Sequence, residues 1–260
     1  MRYFITLSYN GTRYHGWQIQ PNGDSVQQRL QEALSTLLRQ PIEVIGAGRT
    51  DTGVHAKMMV AHFDFSQQGE MKNEKLKIKN EVNGQWSMVN DIVYKLNKLL
   101  PQDIAVQDVR QVPDDMHARF SATARTYHYF IHTHKDPFLF AYSWQVPYKL
   151  DFELMNQAAQ VLLVYKDFTS FSKVNTDTKT NLCDIKEAYW SEVAPGQWRF
   201  TITANRFLRN MVRAIVGTLV EVGRGRITVD DMRRIIEAKD RCSAGESVPG
   251  KGLFLVDIKY

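Results

Sequence analysis

The chain has 260 residues, of which 43% are hydrophobic and 23% are charged, and its formal net charge is +5. This composition is ordinary for a soluble globular protein and provides enough apolar residues for one large or two small cores. No apolar run approaches the roughly 20 residues of a membrane span. Two widely separated cysteines, Cys183 and Cys242, argue against a cysteine-rich zinc site or a disulfide framework.

In the first part of the chain, the spacing of apolar residues switches between the period of a strand and the period of a helix. It predicts strands at 3–9, 42–45, 59–65 and 104–109, and helices at 26–37 and 88–99. Ser25 and Gln28 predict a capping box at the start of the first helix. The polar stretch at about 66–84, which mixes Lys and Glu, is predicted to be a mobile insertion or a long hairpin.

The second part of the chain repeats this order. It predicts strands at 127–131, 185–193, 198–204 and 254–260, and helices at 154–162 and 208–222, with a further helix capped by Thr228 and Asp231. The order strand–helix–strand–strand–helix–strand is that of a ferredoxin-like unit. We therefore predict an α+β fold of two ferredoxin-like halves, residues 1–113 and 114–260. Their antiparallel or mixed sheets pack side by side, and a cleft between them is a natural ligand site.

The segment Gly46–His55, Gly-Ala-Gly-Arg-Thr-Asp-Thr-Gly-Val-His, is predicted to be a loop between two strands. Glycines let the backbone approach a ligand closely, and charged loops on a rigid scaffold often carry chemistry. Three interpretations of Asp51 are open. It could close a simple turn through backbone N–H groups. It could belong to a homodimeric aspartic protease, since Asp-Thr-Gly is that signature. It could be an ionised nucleophile or base, kept charged by Arg49 or by an arginine from elsewhere.

The protease interpretation is the weaker of the two catalytic ones. Aspartic protease chemistry needs two carboxylates that share one proton. The chain has no second Asp-Thr-Gly, and Arg49 two residues before Asp51 favours the fully ionised form.

Basic residues are dense near the end of the chain. They are Arg206, Arg209, Arg213, Arg224, Arg226, Arg233, Arg234, Lys239 and Arg241. Such a cluster fits a polyphosphate partner such as a nucleic acid, or a solvated helix face on which Asp230, Asp231 and Glu237 balance the charge. Arg213 stands out because it lies inside an apolar run. A buried guanidinium needs a carboxylate partner, whereas a surface arginine would extend to water.

Six motifs in one order resemble those of the TruA family of tRNA pseudouridine synthases. They are Gly11-Thr-Arg-Tyr-His-Gly-Trp, Gly48-Arg-Thr-Asp-Thr-Gly-Val-His, His117-Ala-Arg-Phe-Ser-Ala-Thr-Ala-Arg-Thr-Tyr-His-Tyr, Asp167-Phe-Thr-Ser-Phe, Phe207-Leu-Arg-Asn-Met-Val-Arg and Gly252-Leu-Phe. The resemblance covers the whole chain. It implies an isomerase that converts uridine to pseudouridine in the anticodon stem-loop of tRNA, at positions 38, 39 and 40, after flipping the base out of its stack.

The resemblance also implies roles for individual residues. Asp51 is the nucleophile, and Arg213 is its ion-pair partner across the two halves. Tyr127 stacks on the flipped uracil and serves as an acid or a base. Arg49 enters the RNA stack and aids flipping. Arg119 contacts the RNA backbone, and His117 belongs to the same substrate-binding segment.

The expected assembly is a cytoplasmic homodimer that binds the anticodon arm of tRNA without a membrane, a metal or a cofactor. The N-terminus opens on a strand pattern rather than a signal-peptide pattern. A protein of the same fold that binds RNA or assists its folding without catalysis is the rival hypothesis. It would retain tRNA affinity but form no product.

Overall fold

The computed structural model describes residues 1–21, 23–66, 84–174 and 178–260, and side chains of the helix at 84–99 from residue 91 onward. The predicted insertion at about 66–84 therefore lies almost entirely outside the described residues. Within the described ranges, none of the helices combines the length and apolar character that crossing a membrane requires.

The described residues form an α+β fold, which confirms the predicted class. The helices are α1 (Val26–Leu38), α2 (Gly84–Leu99), α3 (Phe152–Val161), α4 (Met211–Gly223) and α5 (Val229–Ala238). The longer strands are β1 (Arg2–Tyr9), β3 (His55–Asp64), β4 (Ile104–Val112), β5 (Ala124–His132), β7 (Ile185–Ala194), β8 (Gln197–Ala204) and β9 (Leu253–Lys259). Two strands have two residues each, β2 (Ile45–Gly46) and β6 (Trp144–Gln145).

All these strands belong to one mixed sheet. Its order is β4-β1-β3-β9-β5-β8-β7, with β2 added to β3 and β6 added to β5. The strands of the first part run β4-β1-β3-β2 and those of the second run β9-β5-β8-β7. With the two-residue β6 left out, each part has its fourth strand beside its first and its third beside its second, so the two parts repeat one topology, as predicted. The boundary near residue 113 itself stays a prediction.

The two parts join edge to edge through β3 and β9. Their parallel pairing is short, with His55 opposite Phe254 and Ala56 opposite Leu255. The other end of the same edge of β3 pairs with β2, at Ala61 and His62. The loop that carries Asp51 leaves β2 and enters β3 directly at this seam. The topology therefore puts the loop between the two parts.

The predicted helices are present, because the capping residues and the apolar stripes indicate the same segments. Thr228 and Asp231 cap the start of α5 as predicted, and the structure shows that they form a capping box. At α1, Ser25 accepts a hydrogen bond from the Gln28 N–H as predicted. The reciprocal half of that capping box is wrong, because the Ser25 side chain makes the described cap contact at α1 without a return bond from the Ser25 N–H to the Gln28 side chain. α4 is apolar nearly all round and buried, and it packs against α3.

The predicted strand at 42–45 is wrong for most of its length, since only Ile45 belongs to β2. Side chains of α1 bind the backbone of this segment instead. Ser35 accepts from the Ile42 N–H, and Gln31 accepts from the Val44 N–H. Side-chain partners replace a strand partner here, which a hydrophobic pattern does not reveal.

Candidate active site

The Asp51 loop is held by backbone contacts to the N-terminal segment. The Trp17 N–H donates to the Thr50 carbonyl over 3.2 Å, and the Gly53 N–H donates to the Tyr14 carbonyl over 3.3 Å. Gly16 has a φ of +94°, and a Cβ added there would lie 2.2 Å from the Thr50 carbonyl oxygen. Both its backbone angle and this close approach require glycine. The Gly11–Trp17 motif therefore supports the loop directly.

Asp51 and Arg213 form an ion pair across the seam. Arg213 Nη1 lies 3.2 Å from Asp51 Oδ2, and the two side chains are 22% and 23% exposed. Arg213 Nε donates to the Val248 carbonyl over 2.7 Å. The guanidinium thus contacts Asp51 with one nitrogen and the backbone with another, and its contact with the carboxylate is not bidentate. Arg213 is therefore not a surface arginine whose side chain extends into water.

Tyr127 lies on β5 and is 8% exposed. Its ring packs edge-to-face on Phe207, with 5.1 Å between ring centroids. Burial, followed by the negative charge of Asp51, raises the pKa of the Tyr127 phenol well above its ordinary range. The phenol is therefore protonated at neutral pH and can donate a hydrogen bond.

Arg49 and Arg119 are exposed on the surface. Among the described residues, neither guanidinium forms an ion pair with a carboxylate. The Arg119 guanidinium lies 5.6 Å from the ring centroid of Phe120, which is 76% exposed. A free cation beside an exposed aromatic ring suits contact with a nucleic acid, through phosphate and through base stacking.

His117 organises the turn that carries Arg119. Its Nδ1 accepts hydrogen bonds from the Arg119 and Phe120 N–H groups over 3.1 and 3.3 Å. Burial lowers the pKa of His117, with Arg2 and Arg119 adding to the effect. The ring is therefore neutral at pH 7, with Nδ1 used inside the protein and Nε2 carrying the proton.

His55 joins the Asp51 loop to segments on both sides of it. The Gly11 N–H donates to His55 Nδ1 over 3.1 Å, so the proton is on Nε2, which donates to the Lys251 carbonyl over 3.2 Å. The ring stacks on Phe254 at 4.5 Å between centroids. Burial lowers the pKa of His55, and the residue connects the loop to the Gly250–Gly252 turn before β9.

The structure adds two residues that the sequence interpretation did not single out. Phe207 packs against Tyr127, and its place in a motif beside Arg213 was the available signal. Arg125 lies two residues before Tyr127 on the same strand, so alternation puts both on one face. A charged residue in phase with a buried tyrosine was the signal for Arg125. In the part of the chain that the structure describes, no group of three His, Cys, Asp or Glu side chains could hold a metal ion.

Comparison with known proteins identifies the family of the chain. A family model described as tRNA pseudouridine synthase matches residues 5–121 and 158–260. The chain is 56% identical to the tRNA pseudouridine synthase A of Bacteroides fragilis, over 100% of this chain and 96% of the relative. It is 40% identical to the protein of the same name from Bacillus subtilis, over 100% and 99% of the two chains. The chain therefore belongs to the tRNA pseudouridine synthase family, whose members are isomerases that act on tRNA.

Proposed function

We propose that this protein converts uridine to pseudouridine in the anticodon stem-loop of tRNA, at positions 38, 39 and 40, and works as a cytoplasmic homodimer. The observation that supports the proposal most is the contact between Asp51 and Arg213, 3.2 Å long and on the β3–β9 seam. The names of the relatives support tRNA as the substrate, and the family resemblance suggests the anticodon arm and the dimer.

Asp51 is the reactive group in this proposal. The reaction breaks the bond between ribose C1′ and uracil N1, turns the base and joins C1′ to uracil C5, from which a proton leaves. Asp51 attacks the ribose or the base, or removes a proton to give a glycal, and each route uses an ionised carboxylate. The Arg213 guanidinium, with Nη1 3.2 Å from Asp51 Oδ2, provides the opposite charge beside the carboxylate. Its second bond, to the Val248 carbonyl, fixes the cation in place.

Tyr127 and the exposed arginines handle the base and the RNA. The Tyr127 ring stacks on the flipped uracil, and its protonated phenol can return a proton to the product. Arg49 fills the gap that the flipped base leaves in the RNA stack. Arg119 binds the RNA backbone, and His117 binds substrate through the turn that it shapes. No cofactor or metal enters this scheme, because the carboxylate, phenol and guanidinium supply its nucleophile, acid and cation.

An aspartic protease is a poorer match to the geometry. That reaction needs a carboxylate able to share a proton with a second carboxylate. The Asp51 side chain instead has a guanidinium as its hydrogen-bond partner within the described residues. The group beside Asp51 is therefore a cation, whereas proton sharing would need a second carboxylate there.

The test is to map pseudouridine in a tRNA transcript treated with the purified protein. Transcripts with uridine at positions 38, 39 and 40 should gain pseudouridine there, and replacing each uridine by cytidine should remove the corresponding signal. Modification only outside the anticodon arm would contradict the substrate assignment. Tight tRNA binding without any product would favour the RNA-binding protein without catalysis.

A further inference from the structure

Arg125 has an unusual set of partners. Its Nη1 donates to the carbonyls of Ala122 and Asn205 over 2.9 and 2.8 Å. Its Nη2 donates to the carbonyls of Ala47 and Arg119 over 3.2 and 2.6 Å. All four terminal N–H groups of the guanidinium are therefore used, and all four acceptors are backbone oxygens. Among the described residues, no carboxylate forms an ion pair with it.

The four carbonyls belong to three segments that meet at the candidate site. Ala47 begins the Asp51 loop in the first part of the chain. Arg119 and Ala122 bound the turn that His117 shapes. Asn205 begins the connection from β8 to α4, which carries Phe207 and leads to Arg213. One side chain thus contacts the Asp51 loop, the turn that carries Arg119 and the connection that leads to Arg213.

The charge of Arg125 also acts on Tyr127, a residue of the candidate active site. Burial raises the pKa of the Tyr127 phenol most, Asp51 raises it further, and Arg125 lowers it. Both charges therefore act on the same hydroxyl group, one from the Asp51 loop and the other from the strand that carries Tyr127.

We propose that Arg125 is a positioning residue, which holds the Asp51 loop, the 117–122 turn and the 205–210 connection in one fixed arrangement before RNA binds. This inference rests on the proposed function for its link to catalysis. The planar guanidinium carries five donors in a fixed geometry. Lysine has three donors on one atom and cannot reach four separate carbonyls.

A direct RNA contact is the alternative role for a cation at this site. The hydrogen-bond count argues against it, because the four terminal N–H groups are already donated inside the protein. Arg49 and Arg119 have exposed side chains and, among the residues that the structure describes, no carboxylate partner, so they are better placed to bind phosphate. A positioning residue should affect the reaction of bound tRNA more than the affinity for tRNA.

The test compares Arg125→Gln and Arg125→Lys with the matched control Arg199→Gln. Arg199 lies on the neighbouring strand β8 opposite Phe130, so alternation puts it on the other face of the sheet from Arg125. Hydrogen exchange is measured at 46–54, 117–122 and 205–210 in the free protein. Single-turnover rates and tRNA affinity are measured on the same samples.

We expect both Arg125 variants to exchange faster in all three segments together, by about tenfold or more, while the control leaves all three unchanged. The single-turnover rate should fall at least about tenfold and the tRNA Kd should stay within about threefold, with lysine giving no rescue. Faster exchange in one segment only, or an unchanged rate in a folded variant, would overturn the proposal. So would a large loss of affinity with an unchanged rate.

Folding is checked first by thermal unfolding. If Arg125→Gln does not fold, Arg125→Lys carries the test. If neither folds, Arg125 is needed for folding as a whole and the proposed positioning role is wrong. Hydrogen exchange requires no catalysis, so it tests the contacts of Arg125 even if the wild-type protein forms no pseudouridine. In that case only the proposed function would fail.

Discussion

Asp51 and Arg213 are 162 residues apart in the sequence, yet Asp51 Oδ2 and Arg213 Nη1 are 3.2 Å apart in the fold. The carboxylate comes from the loop before β3, and the guanidinium comes from the first turn of α4. One ion pair therefore connects the two repeated parts of the chain beside the strands that join them. Any change in how these parts meet would alter the distance between the two charges.

Replacing Arg213 tests the ion pair. Arg213→Met removes the cation and should lower turnover about 100-fold or more, since charged groups positioned at a reacting centre are worth several kcal/mol. Arg213→Lys keeps a cation but serves only one of the two partners, Asp51 and the Val248 carbonyl, so it should retain intermediate activity. Single-turnover rates at saturating tRNA measure both effects.

The affinity of the same variants separates catalysis from binding. Because the guanidinium is occupied by Asp51, tRNA Kd should stay within about threefold of wild type, as most RNA affinity comes from phosphate contacts. Arg226→Met is the control and should leave turnover unchanged. Arg226 lies just beyond α4, is 56% exposed and is paired with Glu221. If Arg213→Met weakens tRNA binding strongly while bound tRNA reacts normally, Arg213 is a phosphate contact instead.

Replacing Tyr127 by phenylalanine tests the phenol apart from the ring. The variant keeps the edge-to-face contact with Phe207 and the surface for stacking, so tRNA affinity should not change. Loss of a general acid costs about 10²- to 10⁴-fold, and we expect turnover to fall by at least about 100-fold. Wild-type turnover in Tyr127→Phe would show that the hydroxyl group has no part in the reaction.

Arg119 should contribute to RNA binding through its charge. Arg119→Ala should weaken tRNA binding, and the slope of log affinity against log salt should decrease by about one. Arg234→Ala provides the control, because Arg234 is a 77% exposed arginine already paired with Asp231 on α5. Titrations at several salt concentrations measure both. Equal slopes for Arg119→Ala and wild type would remove Arg119 from the RNA interface.

His62 should make the fold sensitive to acid. It is 3% exposed and its Nδ1 accepts the Ala118 N–H over 3.2 Å. Burial, followed by the charges of His117 and Arg2, lowers its pKa to about 4. An unfolded histidine titrates near pH 6.5, so the unfolded state binds more protons between these values, and stability falls as pH falls from about 6.5 to 4.

The variant His62→Gln keeps an acceptor for the Ala118 N–H but does not titrate. Between pH 7 and pH 5 it should lose about 1–2 kcal/mol less unfolding free energy than wild type. Urea unfolding at the two pH values measures the difference. His134→Gln, at an exposed histidine, should behave as wild type. An identical loss in wild type and His62→Gln would contradict this role for His62.

The sequence predicted best those elements in which capping residues and apolar spacing indicate the same structure. Thr228 and Asp231 begin α5 as expected, because the capping box depends on residues three positions apart. The segment at 42–44 was predicted wrongly because its partners, Gln31 and Ser35, are polar side chains of a helix. β6 was missed because two residues are too short for a periodic pattern.

The candidate site was predictable only in part. Asp51 and Arg213 were paired through family resemblance, since no local pattern links residues so far apart. The parallel pairing of β3 with β9, which brings them together, is a tertiary contact of a few residues. The partners of Arg125 are backbone carbonyls, and because every residue has one, the types of residue in the sequence do not reveal them. Reasoning from residue types therefore finds the reacting groups more readily than the residues that position them.

The central claim is that the Asp51 carboxylate performs the reaction. Because pseudouridine formation removes the hydrogen from uracil C5, tritium at C5 of tRNA uridines is released to water when the reaction occurs. Purified Asp51→Asn should release no tritium above background while binding tRNA within about threefold of the wild-type Kd. Tritium release by Asp51→Asn at a rate near that of wild type would show that the carboxylate is not the reacting group.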